Sequence, residues 1–298
     1  MDILTQLNRA VLYIEEHICD DLALAEVSCV TTYSAYHFGR LFYYVADMPL
    51  AEYIRKRKLS MAAMELQSGE MKIMDLAVLY GYDSADSFTR AFVKQHGVTP
   101  SSARKSGVGL TIFPPLSFQI TIKGVRAMNW RIEEREAFEV FGLERVFQND
   151  ETNQVPGFWQ ECHQNGSYEK LFRDAGERCE GGRWSSQDAE ACVINAMCGY
   201  CEPGEDVFPY MLFVEKAAGS RTDGYKVARV PKSSWAVFRG DRSEGSDVEI
   251  ASLFHRAYSE WFPSSGYERA LGPDMEIYYH SPKGYHFEEV WIPVRKVV

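Results

Sequence analysis

Phe38-Gly-Arg40-Leu-Phe42 recurs fifty residues further on as Phe88-Thr-Arg90-Ala-Phe92. On a helix the phenylalanines at i and i+4 share one face, and the arginine between them, about 200° round from the first, points away from it. Each copy therefore has an apolar side for a core and a guanidinium side. A guanidinium is a rigid fork of donors with no acceptor, suited to the paired acceptors of guanine or to phosphate oxygens. Two such forks on equivalent helices suit a long, repeating, anionic surface, and duplex DNA is the candidate. Tyr36 precedes Arg40 by four and Asp86 precedes Arg90 by four, which places each pair on one exposed stripe.

A second constellation lies near the other end. On a strand, Glu276, Tyr278 and His280 face one way, and Met275, Ile277 and Tyr279 the other. If the first face lines a cavity, desolvation favours the neutral carboxyl when the site is empty, and a cation that restores its charge is selected. Aromatic walls add cation–π attraction of about 0.5–2 kcal/mol each. If that face meets solvent, Glu276 is an ordinary strand carboxylate. All six tryptophans and 27 of the 40 aromatic residues lie beyond residue 117, so any aromatic cavity belongs to that part of the chain.

Length and charge frame these candidates. The 298 residues suit two domains, each able to bury a core. The net charge of -10 divides into -2 for residues 1–107 and -8 for the rest. A basic face in the first part must therefore be local, built from Arg40, the Arg55-Lys-Arg-Lys58 run, Arg90, Lys94, Arg104 and Lys105. There is no run of 18 apolar residues and no signal-peptide pattern at Met1-Asp-Ile-Leu-Thr, and the reading is a cytoplasmic protein. Seven cysteines without a framework spacing fit a reducing compartment. Cys198-Gly-Tyr-Cys201 has redox spacing but opens no thioredoxin-like helix, and is read as two reduced thiols. No cofactor or metal is expected.

The elements follow from periodicity and punctuation. Helices are expected over Ile3 to Ile18, then Leu22 to about Val30 after an Asp20-Asp21 cap, and from the Thr31–Ser34 turn to Tyr44. A long connecting helix follows Pro49 and stops at Ser68-Gly69. A second set comprises Ile73 to Leu79, the turn Gly81–Ser84, a helix to about His96, and a short one at Ser101 to Lys105. Ser106-Gly-Val-Gly109 and Pro114-Pro115 mark a boundary, giving domains 1–107 and 117–298 joined by a linker at 108–116. Strands are expected at Phe118 to Ile122, Ala137 to Val146, Cys192 to Ala196, Tyr210 to Val214, Trp235 to Arg239, Met275 to His280 and Glu288 to Val294. Helices interrupt them at Val155 to Asn165, Tyr168 to Arg178 and Val248 to Phe262. The fold class is multi-domain: an all-α double helix-turn-helix followed by an α+β domain with an antiparallel sheet.

The first part resembles the AraC/XylS family of transcription activators, in its Rob, MarA and SoxS branch, over residues 4–106. The matching residues are Tyr33-Ser-x-x-His37-Phe38-x-Arg40-x-Phe42, Pro49-x-x-x-Tyr53-Ile54-Arg55, Ile73-Met-Asp-Leu76-Ala77, Gly81-Tyr82-x-Ser84, Phe88-Thr-Arg90-Ala-Phe92 and Gly97-x-Thr-Pro100. The resemblance implies that Tyr36, Gly39 and Arg40 of one helix, and Ala85, Asp86, Thr89 and Arg90 of the other, meet DNA. Thr32 and Asp47 stand where the family usually has glycine, and Ala103 where it has an aromatic residue. The second part resembles the GyrI-like effector-binding fold through Val155-Pro156-x-x-Trp159, Gly199-Tyr200, Phe208-x-Tyr210, Trp235-Ala-Val-Phe238, Gly272-Pro273-x-x-Glu276-Ile-Tyr278 and Glu289-Val-Trp291-Ile-Pro293. That likeness implies a small, cationic, lipophilic effector held by Glu276, with Tyr278, Trp159, Tyr200, Tyr210, Trp235 and Trp291 around it. The expected function is a ligand-responsive transcriptional regulator, not an enzyme, whose partners are promoter DNA, the effector and RNA polymerase. The rivals are a hydrolase using Glu276 as general base, and a protein-interaction module.

Overall fold

The structure is a computed structural model that describes residues 3–69, 71–105, 107–119, 127–148, 154–176, 189–200, 207–242 and 250–297. It divides into two compact units, Met1–Gln119 and Ile120–Val298.

In the first unit α1 spans Ile3–Glu16, α2 Leu24–Cys29, α3 Ala35–Ala46, α4 Leu50–Ser68, α5 Ile73–Leu79, α6 Ala85–His96 and α7 Pro100–Ala103. Helices α3 and α6 start at serine caps, where Ser34 accepts from the His37 N–H and Ser84 from the Ser87 N–H. Phe38, Phe42, Phe88 and Phe92 are fully buried. Asp20-Asp21 does not cap α2. The helix begins at Leu24, and the Glu26 carboxylate accepts from the Ala23 N–H instead. The two departures from family glycines are absorbed locally. The Thr32 N–H and hydroxyl both donate to buried Gln6 Oε1, at 2.7 and 2.8 Å, and Asp47 closes α3 in the left-handed region at φ 55°.

The basic run on α4 is divided by helical phase. Arg57 points inward, where Nε and NH2 donate to Glu15 at 2.8 and 2.5 Å and NH1 donates to the Phe113 carbonyl. Lys56 pairs with Glu52, Lys58 donates to the Asp20 carbonyl, and Arg55 is exposed. The stretch expected as a linker runs along these helices. The Phe113 N–H donates to Ser60 Oγ and the Leu116 N–H to Tyr53 Oη, while Asn8 exchanges two bonds with the Phe118 backbone.

Among the described residues the second unit is one antiparallel sheet of ten strands with helical segments: β1 Asn129–Arg135, β2 Phe138–Gln148, α8 Val155–Gln164, α9 Ser167–Asp174, β3 Glu190–Ala191, β4 Asn195–Cys198, β5 Val207–Glu215, β6 Lys226–Val230, β7 Ser233–Arg239, α10 Ile250–Arg256, α11 Phe262–Ser265, β8 Tyr267–Arg269, β9 Asp274–His280 and β10 His286–Lys296. The order is β1-β7-β10-β9-β4-β5-β2-β6, with β3 beside β9 and β8 beside β10. Between α10 and α11 the helix passes through a π turn, Ala257–Trp261, just before Pro263, which has no N–H to give. Strands β1, β3, β6 and β8 were not expected. The expected strand at Phe118 to Ile122 is not formed at Phe118 and Gln119, and its remainder lies outside the described residues. So do Cys201, the end of the expected helix at Tyr168 to Arg178, and the start of the one at Val248.

Opposed residues in antiparallel strands share a face, so the register sorts the side chains. Glu276 lies opposite Val290 and Ala196, Ala196 opposite Leu212, and Val290 opposite Phe238. The helices pack on this face: Phe158 of α8 meets Phe147, and Trp261 of the π turn meets Phe238 and Trp130. The opposite face carries the buried cluster that includes Met197, Met211, Phe213, Trp235, Met275 and Trp291.

Candidate DNA-reading helices and effector site

On α3 the guanidinium of Arg40 is held between two tyrosines, one turn before and one turn after. NH1 donates to Tyr36 Oη and NH2 to Tyr44 Oη, each at 2.9 Å, and Cζ lies 5.8 and 5.4 Å from the two ring centroids. Tyr36 is not on an exposed stripe as expected. Its ring is buried, 1% exposed, because the apolar arc of α3 extends through Tyr36, Phe38, Leu41 and Phe42, and only the hydroxyl reaches the arginine. Gly39 is half-buried, with its α-carbon side facing Leu24. On α6, Asp86 and Arg90 are exposed, and Ala85 and Thr89 are half-buried. The two helices thus present their arginines differently, one braced and one free in solvent. Tyr44 was missed in the sequence, although its i+4 spacing from Arg40 is visible there.

The second unit gathers four of the expected ligand residues and separates three. Glu276 is 7% exposed. Its Oε2 accepts from Tyr210 Oη at 2.8 Å and Tyr278 Oη at 2.9 Å. Trp159 of α8 closes over them, with Nε1 donating to Tyr210 Oη at 3.1 Å and its ring edge-on to Tyr278 at 5.4 Å. Burial, and after it the Glu276 charge, pushes both phenols well above the ordinary tyrosine range, so both remain hydrogen-bond donors. Glu288, opposite Tyr278 on β10, adds a second buried carboxylate on this face. It was missed because Glu288-Glu289 gives no sign of which glutamate points which way.

Tyr200, Trp235 and Trp291 do not join this group. Trp291 lies opposite Met275, the neighbour of Glu276, so the pleat turns it to the other face, and Trp235 follows it through Pro293. Tyr200 packs against that same cluster and donates to Glu144.

Residues 131–294 match the family of integron-associated effector binding proteins, and residues 28–106 match a helix-turn-helix domain family. The chain is 34% identical over 103 residues to the transcriptional activator AarP of Providencia stuartii, covering 35% of this chain and 76% of AarP. This is an AraC-type regulator with an effector-binding domain. The regulator is also 37% identical over 108 residues to the transcriptional regulator Rob of Salmonella typhimurium, a match that spans 36% of this chain and 37% of Rob. Among solved structures, SAV2435 bound to tetraphenylphosphonium covers 56% of this chain and 94% of its own at 18% identity, with a TM-score of 0.41, a likeness too distant to carry weight. Among the described residues no helix of the regulator is long and apolar enough to cross a membrane, and no group of His, Cys, Asp and Glu is arranged to hold a metal ion.

Proposed function

We propose that the regulator reads two consecutive major-groove segments through α3 and α6, with Arg40 and Arg90 on base edges and Tyr36, Gly39, Ala85, Asp86 and Thr89 beside them, and that a small lipophilic cation at Glu276 changes what it does at its promoter. The observation that carries the effector reading is the carboxylate of Glu276, buried under Trp159 and fed by two phenols that cannot themselves neutralise it. A cation placed there regains in Coulomb attraction what the carboxylate lost in hydration, and the three rings add cation–π contact. Coupling requires only that the cation favour one of two states of the protein. The reading includes a cytoplasmic regulator that contacts RNA polymerase and turns over no substrate.

The test is in vitro transcription from a site selected by the full chain, titrated with benzyltrimethylammonium and followed by recovery of the compound. A dose-dependent change with the compound returned intact supports the proposal. A consumed compound would make the effector domain an enzyme, and no response to any cation would remove the ligand role.

A further inference from the structure

The chain does not leave the first unit where its last helix ends. Helix α7 stops at Ala103, whereas the compact unit runs on to Gln119. Residues 108–118 have no helix or strand of their own and lie as a strap along α4 and α1. Val108, Leu110, Phe113, Leu116 and Phe118 are half-buried, and the residues between them are exposed.

Side chains of the two helices hold the strap by its backbone. From α4, Gln67 Nε2 donates to the Val108 carbonyl at 3.3 Å and Arg57 NH1 to the Phe113 carbonyl. Ser60 Oγ accepts from the Phe113 N–H at 2.9 Å and Tyr53 Oη from the Leu116 N–H at 3.2 Å. From α1, Asn8 accepts from the Phe118 N–H and donates to its carbonyl, each at 2.9 Å. A segment held by such scattered bonds, with no fully buried side chain, opens more easily than the helices beneath it. Pro114-Pro115 keeps it extended, so docking costs little chain entropy.

The strap ends against α3. The Phe118 ring stands edge-on to Phe42 at 5.9 Å, and Phe42 meets Tyr53 at 5.5 Å. Phe42 is fully buried, two residues after Arg40 and on the side of α3 turned away from the guanidinium. Phe118 therefore closes the core behind the arginine.

We propose that Asn8 and Phe118 are positioning residues for α3. With the strap docked, α3 is held in the form that reads DNA, and release of the strap loosens it through Phe42. The chain continues from Gln119 into the effector unit, so an effector that changes docking changes promoter affinity. That last step rests on the effector reading; the positioning does not. Docking and DNA binding are then reciprocal, each favouring the other by the same factor.

The test is amide hydrogen exchange of the full chain at Phe113, Leu116 and Phe118, with and without a selected duplex, beside anisotropy titrations of wild type, Asn8→Ala and Phe118→Ala. Both replaced residues are half-buried, and neither change removes a fully buried side chain. The duplex should slow exchange at the three strap amides in wild type. Each variant should speed exchange at Leu116 and Phe118 and weaken the selected duplex by about 2–10-fold, with the buried amides of α4 and α6 unchanged. Strap exchange indifferent to the duplex, freed strap amides with undiminished affinity, or faster exchange throughout the unit in both variants each overturns the proposal. A further arm adds benzyltrimethylammonium to wild type. A change at the strap amides supports the link to the effector; no change removes that link, and the positioning stands on the duplex result.

Discussion

Removing a single hydroxyl from Tyr44 should distinguish a braced reading arginine from a sequestered one. Arg40 has five N–H groups, of which one goes to Tyr36 and one to Tyr44 at 2.9 Å. Both bonds fix the plane of the guanidinium, so on the proposed reading the tyrosines orient the fork before DNA arrives. Arg40→Ala should lose the base contact, about 1–3 kcal/mol, or about 5–150-fold in affinity for a selected site. Tyr44→Phe keeps the ring and removes one brace, about 0.5–1.5 kcal/mol, or about 2–12-fold. The assay is fluorescence anisotropy on a duplex recovered by the full chain from a random pool, beside a scrambled duplex at the same salt. Both variants should lose affinity for the selected duplex and little for the scrambled one. Tighter binding by Tyr44→Phe would mean that the hydroxyls hold the arginine back, and equal losses on both duplexes would reduce Arg40 to a phosphate contact.

Three further outcomes are expected. Gly142→Ala should destabilise the effector unit by about 1–3 kcal/mol or more, since a Cβ there would lie 1.9 Å from the Leu212 carbonyl oxygen; an unchanged melting temperature would contradict the close approach of β2 and β5. Asp47→Gly should raise the stability of the first unit by about 0.5–1 kcal/mol by relieving the left-handed cap at φ 55°, and Asp47→Ala should not, as read by thermal melts. Because Tyr210 and Tyr278 are raised in the folded state, the unfolded chain loses their protons first, near pH 10. Their contribution is therefore intact below that pH and is lost as pH rises above it. Tyr53, Tyr80 and Tyr279 are raised by burial as well, so phenolate absorbance should leave several tyrosines protonated at pH 11 in wild type and two fewer in a Tyr210→Phe, Tyr278→Phe variant; full titration of all tyrosines at pH 11 in the folded protein would refute the burial.

The helical half was legible because its signals are local. A four-residue spacing of phenylalanines, serine caps and glycine turns act over one or two turns, and each reading helix lies within two residues of its expected ends. The sheet was less so. Strand β1, Asn-Trp-Arg-Ile-Glu-Glu-Arg, carries only two apolar residues, too short an alternation to stand out, and β6 is largely exposed. The ligand set was split for a related reason. Glu276, Tyr210, Tyr278 and Trp159 meet, while Trp235 and Trp291 turn away, and that depends on register between strands distant in sequence, which no single strand encodes. The basic run at Arg55 to Lys58 shows the same limit, since only the tertiary partner Glu15 explains why Arg57 points inward.

The central claim is that charge at Glu276 selects the effector. The most direct measurement is calorimetric binding of benzyltrimethylammonium and of its uncharged carbon isostere, neopentylbenzene, to the full chain and to Glu276→Gln. The account predicts that the cation binds wild type more tightly than the isostere and loses about tenfold or more in the variant, while the isostere is little changed. Equal affinity of the two compounds for wild type, or equal losses in the variant, would contradict it.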